Sequence, residues 1–217
     1  MIKTVIFDFD GTMFHTAPEI HRAVNLTLKD IGHHELSYDE VTHCIGQGLM
    51  YLLEHLKLDI DMSAEGLKKI ATLFRQHYNK IFHESKPFPG LLEFLSNTPQ
   101  KVAVGSNKDE KYVKAVLEQS PWNNFNWVSL NGGNTFSTKK PEPEMIEDII
   151  IKSQCEPHEV AIVGDGSPDI EVAKNTGIYS VAVSYGYSPL QELMDLGADV
   201  SIDNLIELQE TLNRLNT

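Results

Sequence analysis

Two hydrophobic periods alternate along this chain. Apolar, strand-prone runs ending in small or polar residues occur at the start ("MIKTVIFDFDGT"), at 101–107 ("KVAVGSN"), at 125–133 ("FNWVSLNGG") and at 159–169 ("EVAIVGDGSPD"), with a fifth at 178–184 ("IYSVAVS"). Amphipathic helical segments fall between them, near 90–97, 109–118, 142–153 and 168–175. Uninterrupted apolar strands alternating with helices predict a parallel sheet covered on both faces. Between 15 and 85 the rhythm changes. Ile20, Val24 and Leu28, then Leu49, Leu52, Leu53 and Leu56, recur at helical spacing, and a further helix is predicted over 64–83. "SKPFPG" (85–90) breaks the pattern and returns the chain to the strands. The expectation is an α/β protein, a Rossmann-like parallel sheet core made of 1–14 and 86–217, with a helical domain of 15–85 inserted after the first strand.

Composition narrows the setting. The chain has 217 residues, 41% hydrophobic and 23% charged, as ordinary globular proteins do. No apolar run approaches the roughly 20 residues that span a bilayer. Lys3 precedes only a short apolar run that Asp8 interrupts, unlike a secretory signal. The reading is cytoplasmic, with no membrane partner. Cys44 and Cys155 offer neither a disulfide framework nor metal spacing. The formal net charge of −13 argues against a nucleic-acid partner. It also means that an anionic substrate would need local positive charge.

The chemistry gathers at the ends of the strands. In an open parallel sheet, ligands bind outside the carboxyl ends, where this pattern places Asp8, Asp10, Ser106, Asn107, Lys140, Asp165 and Asp169. Taken alone, Asp8, Asp10 and Gly11 could be an ordinary turn. Several carboxylates at one edge, however, repel unless a cation sits among them. Hard oxygen donors with room for water and phosphate favour Mg²⁺. Asp8 and Asp10, two apart, share a face if the strand persists. A nucleophile, a proton donor, a metal site, a hydroxyl and a lysine are the parts for phosphoryl transfer through an aspartyl phosphate.

The ordered set "DFDGT", "GSN", "KKPEP" and "GDGSPD" resembles the haloacid dehalogenase superfamily of phosphatases over essentially the whole chain. "PFPG", "IGQGL" and "SNK" are similar to its phosphoglycolate phosphatase branch. The resemblance implies that the helical insertion is a cap domain. It implies Asp8 as nucleophile, Asp10 as the acid and then base, and Ser106 and Lys140 as clamps on the phosphoryl oxygens. Asn107 and Gln47 would meet substrate. Asp8, the Asp10 backbone carbonyl, Asp165 and Asp169 would hold Mg²⁺. Lys140 is chosen over Lys139 because the family's lysine directly precedes the proline. The implied substrate is a small phosphorylated metabolite, 2-phosphoglycolate first, and the implied assembly a monomer or homodimer. The sequence departs from the pattern at His15 and Thr16, where relatives commonly carry Asp and Ser, and at Ser106 and Gly166.

Other readings fit less well. "GDGSPD" lacks the third glycine of a dinucleotide fingerprint, "STKK" lacks the companion motifs of a serine acyl-transferase, and "HHEL" has Tyr38 where a zinc-protease histidine belongs. Eight of nine histidines fall in 15–85 and read as solvated helix surface. Gln47 lies between two glycines and could equally be an interhelical turn. Within the superfamily, a sugar-phosphate phosphatase, an inorganic pyrophosphatase and a phosphosugar mutase are alternatives, with Thr12 tilting away from the mutase. A dehalogenase would lack an equivalent of Asp10. A phospho-acceptor signalling domain or a non-catalytic binding module belongs to a different class. Such acceptor domains are shorter and carry no helical insertion.

Overall fold

The computed structural model describes residues 1–56, 61–119 and 121–215. The chain forms strand β1 (Thr4–Phe7) and leaves it through the two-residue β2 (Phe14–His15). Four helices follow: α1 (Ala17–Asp30), α2 (Tyr38–Thr42), α3 (Leu49–His55) and α4 (Ala64–Tyr78). Strand β3 (Lys86–Pro87) then pairs antiparallel with β2, so the outgoing and returning chains form one short ribbon. After α5 (Leu91–Asn97) come β4 (Lys101–Gly105), α6 (Glu110–Leu117), β5 (Trp127–Asn131) and α7 (Glu144–Ser153). The remainder runs β6 (Val160–Gly164), α8 (Ser167–Thr176), β7 (Tyr179–Val183), α9 (Leu190–Asp195), β8 (Val200–Ile202) and α10 (Leu208–Arg214).

Six strands make one sheet in the order β5-β4-β1-β6-β7-β8, and every pairing is parallel. Strand alternation divides the core. Val5 and Phe7 of β1 pack on one face with Val102, Val104, Ala161 and Val163, while Ile6 packs on the other with Ala103, Ile162 and Ile146. Both faces are dry, as a parallel sheet requires. The chain builds outward from β1 to β4 and β5 on one side and to β6, β7 and β8 on the other. The order therefore reverses at β1, and the crevice at its carboxyl end lies between the ends of β4 and β6.

The inserted helices bury their own cluster. Ile20, Val24 and Leu28 of α1 meet Leu52 and Leu53 of α3 and Leu67, Ile70 and Phe74 of α4, and Tyr112 of α6 joins them from the sheet side. Two expectations change. The helix predicted over 64–83 stops at Tyr78, and a 3₁₀ turn at Phe82–Glu84 follows it. The sheet also has a sixth strand, β8, that hydrophobic patterning over three residues did not reveal.

Candidate active site

The site forms where three parallel strands end side by side. Beyond β1 the backbone continues to Asp8, whose N–H donates to the Val163 carbonyl of the neighbouring strand at 2.9 Å. Asp8 thus keeps the strand's register, and its side chain is nearly buried, as are those of Asp10, Ser106, Lys140, Asp165 and Asp169. Lys140 Nζ donates to Asp8 Oδ1 at 2.9 Å and to Asp169 Oδ1 at 2.6 Å. Burial opposes the charge on Lys140, but Asp169 and Asp8 outweigh it and hold its pKa above the usual lysine value. Lys139 points its ammonium elsewhere, to the Gln47 carbonyl at 2.7 Å.

Among the described residues, Asp165 is hydrogen-bonded only to neutral groups. Its Oδ1 accepts from the Thr12 hydroxyl and its Oδ2 from the Tyr187 N–H, both at 2.8 Å. Burial, with the charges of Asp8 and Asp169 added, pushes its carboxyl well above the ordinary range; Asp8 is also raised by burial, with Lys140 opposing. Two glycines make room for Asp165: a Cβ on Gly11 would lie 2.1 Å from its Oδ2, and one on Gly186 would lie 2.0 Å from its Cβ. Asp169 has a second task. Its Oδ2 accepts from the Gly166 N–H at 3.1 Å and so closes the first turn of α8.

One carboxylate oxygen from each of Asp8, Asp165 and Asp169 lies within 4.8 Å of the others, the one group of metal-ligating type among the described residues, and no histidine enters it. Four carboxylates face two ammoniums here, which leaves two negative charges uncompensated when all are ionised. Buried charge of that kind is costly without a counter-ion. The donor set and its charge therefore fit a divalent cation that prefers oxygen.

Sequence reasoning overlooked Lys108. It is buried, and its Nζ donates to Asp10 Oδ1 at 2.7 Å and to the Tyr78 hydroxyl of α4 at 2.8 Å. The same ammonium sits 4.8 Å from the Tyr78 ring centroid and 5.9 Å from that of Tyr112. Burial opposes its charge, yet Asp10 and Tyr78 hold its pKa above the usual value. The signal was present, since Lys108 adjoins the flagged Asn107 at a strand end. Asn107 Nδ2 donates to the Lys140 carbonyl at 2.9 Å and to the Gly46 carbonyl at 3.2 Å, tying the loop after β4 to the inserted helices. Ser106 lines the same cleft as Asp8 and Asp10. Gly46 and Gly48 line it too, whereas Gln47 faces an adjacent cleft with His43, Tyr51 and Ser167.

The family described as haloacid dehalogenase-like hydrolase matches residues 5–183. The chain belongs to that family. Among curated relatives, the phosphoglycolate phosphatase of Aquifex aeolicus is 34% identical over 194 residues, covering 87% of this chain and 88% of its own. That of Aliivibrio fischeri is 29% identical over 221 residues, covering 98% and 97%. A crystal structure from Haemophilus somnus, described as a predicted phosphoglycolate phosphatase, superimposes with a TM-score of 0.88 at 23% identity, over 97% of each chain. At that identity the superposition speaks to the fold, a haloacid dehalogenase-like α/β sheet. Family membership sets aside the signalling domain and the dinucleotide site as readings of the strand-end motifs. Among the described residues, no helix is long and apolar enough to cross a membrane.

Proposed function

We propose that this protein is a phosphoric monoester hydrolase that passes the phosphoryl group of a small phosphorylated metabolite through Asp8 to water. The observation that carries the reading is the pairing at the end of β1. Asp8 is held by a lysine that can also face phosphoryl oxygens, and Asp10, two residues on, lies against the same cleft. An Asp8 oxygen attacks phosphorus while the bond to the bridging oxygen breaks. Asp10 gives that oxygen its proton, and the alcohol leaves. Asp10 then takes a proton from water, which attacks phosphorus and releases Asp8 and phosphate. Ser106 and Lys140 hold the non-bridging oxygens.

Mg²⁺ is the cation we assign to Asp8, Asp165, Asp169 and the Asp10 carbonyl; bound there, it would offset the two surplus negative charges of the carboxylates and so lessen the repulsion that a phosphate meets. Residues 15–85 act as the cap over this site, and 1–14 with 86–217 as the hydrolase core. The relatives' names make 2-phosphoglycolate the reference substrate. The test is steady-state hydrolysis of p-nitrophenyl phosphate and of a panel of phosphorylated metabolites. Turnover that EDTA abolishes, Mg²⁺ restores and Asp8→Asn eliminates supports the assignment. Undiminished turnover by Asp8→Asn would overturn it.

A further inference from the structure

The cleft that Asp8, Asp10 and Ser106 share encloses about 540 Å³ of empty space, part of it open to solvent. Much of its wall is apolar, with Ile20, Leu49, Leu52 and Phe74 supplied by the inserted helices. Two polar groups interrupt that wall near Asp10. One is the Lys108 ammonium, the one lysine or arginine among the described lining residues. The other is the hydroxyl of Tyr78 from α4, a residue only 2% exposed.

Both groups have a donor to spare. An ammonium carries three N–H donors, and Lys108 gives one to Asp10 at 2.7 Å and one to Tyr78 at 2.8 Å. The Tyr78 oxygen thus accepts, and among the described residues no acceptor meets its own O–H. A buried hydroxyl proton without an acceptor is costly. Asp109, a further carboxylate on the wall, is taken by Arg75 at 3.1 Å. One incoming acceptor that carries negative charge would satisfy both donors. The site already holds an ammonium in that arrangement, for Lys140 bridges the carboxylates of Asp8 and Asp169 at 2.9 and 2.6 Å. Lys108 has one carboxylate, Asp10, and an N–H left for a second. Its place in the cleft follows from the proposed reaction, on which this inference rests. Asp10 hands a proton to the bridging oxygen, which must therefore come within about 3 Å of it. A carboxyl group on the carbon that bears that oxygen is then within reach of Lys108 and Tyr78.

We infer that Lys108 and Tyr78 form a carboxylate subsite, and that the substrates are phosphate esters of small 2-hydroxy acids, 2-phosphoglycolate among them. Purified protein with Mg²⁺ would be assayed on 2-phosphoglycolate and on its neutral carboxamide, which has nearly the same shape, with p-nitrophenyl phosphate as the reference. The expected preference in kcat/KM for the carboxylate is roughly 10- to 100-fold, the worth of a hydrogen bond to a charged group. Lys108→Met keeps the length of the side chain and should bring that ratio close to one. A looser Asp10 would slow both esters alike and leave the ratio where it was, so the ratio separates carboxylate binding from a purely positional role. Tyr78→Phe removes the O–H, keeps the ring and should lower the ratio by a smaller factor. It makes the same test if Lys108→Met does not fold. A wild-type ratio near one, or an unchanged ratio in a folded variant, overturns the inference and leaves the hydrolase reading standing. No turnover of any ester, p-nitrophenyl phosphate included, overturns both.

Discussion

Two aspartates two residues apart have different partners, and the proposed mechanism gives them different work. Asp8 meets Lys140, which also holds Asp169, while Asp10 meets Lys108, which also holds Tyr78. Asp8 needs no proton to attack, but an alkoxide is a poor leaving group. Asp10→Asn should therefore lose ~10²–10⁴-fold in kcat on an alkyl ester, the usual worth of general acid–base help. With p-nitrophenyl phosphate the leaving group departs unaided. A stopped-flow trace of Asp10→Asn should then show a burst of nitrophenol followed by a slow steady rate, and Asp8→Asn no burst. Near-normal turnover by Asp10→Asn would contradict the assignment. Gly11 makes a second prediction at this scale. Its φ of +79° and the 2.1 Å approach to Asp165 leave no space for a methyl group. Gly11→Ala should cost about 1–3 kcal/mol, in the range of a strained left-handed residue, and lower kcat by displacing Asp165. Urea unfolding and steady-state kinetics would read the two effects separately. The motif aspartates, Ser106 and Lys140 were legible because each closes an apolar run or adjoins a proline. Lys108, Thr12 and Tyr187 were not, because their roles arise from contacts between segments distant in sequence.

At the scale of elements, the join between the sheet and the inserted helices is built from short pieces. Strands β2 and β3 pair over only two residues each, Phe14 with Pro87 and His15 with Lys86. Helix α1 starts beside this ribbon, and its N-cap Thr16 makes no side-chain cap. The Tyr187 hydroxyl, from the loop after β7, takes that place by accepting the Thr16 and Ala17 N–H groups at 2.8 and 2.9 Å. The Tyr187 N–H meanwhile donates to Asp165. Tyr187→Phe leaves two N–H donors without that acceptor and keeps the ring. It should destabilise the protein by roughly 1–2 kcal/mol, the scale of a lost helix cap. A shift of the urea midpoint at unchanged slope would measure it; no shift would mean that water replaces the hydroxyl. Hydrophobic patterning found the five long strands and most of the helices because each repeats its period several times. It missed β8 and the β2–β3 ribbon because two or three residues carry no period. It extended α4 past Tyr78 because Ile81 and Phe82 are apolar and continue the pattern, though the chain has already turned.

For the whole molecule, the question is how a chain of net charge −13 receives a phosphate dianion. Its long-range field repels such a ligand, and the site does not reverse the sign. Lys108 offsets Asp10, and Lys140, paired with Asp8 and Asp169, is the one ammonium set against the three carboxylates of Asp8, Asp165 and Asp169 among the described residues. The surplus is two negative charges, the amount that one divalent cation removes. Metal binding should then report on stability as well as turnover. Saturation at about 100 times Kd stabilises a fold by roughly 2.7 kcal/mol, which for a chain of this size is about 5–10 °C in Tm. Mg²⁺ should raise the Tm of EDTA-treated protein by that amount. Ca²⁺ should also raise it, since it too neutralises the carboxylates, but its larger and looser coordination should not support turnover. Asp165→Asn separates charge from shape. It removes one buried negative charge and keeps a side-chain acceptor near Thr12 and Tyr187. The EDTA-treated variant should therefore melt above EDTA-treated wild type, while its Mg²⁺-induced shift falls to less than half. Differential scanning fluorimetry across a Mg²⁺ titration measures both quantities. A variant with the wild-type Mg²⁺ shift would place the cation away from Asp165, and one that melts lower without metal would mean that Asp165 stabilises the fold through its hydrogen bonds more than it strains it through its charge.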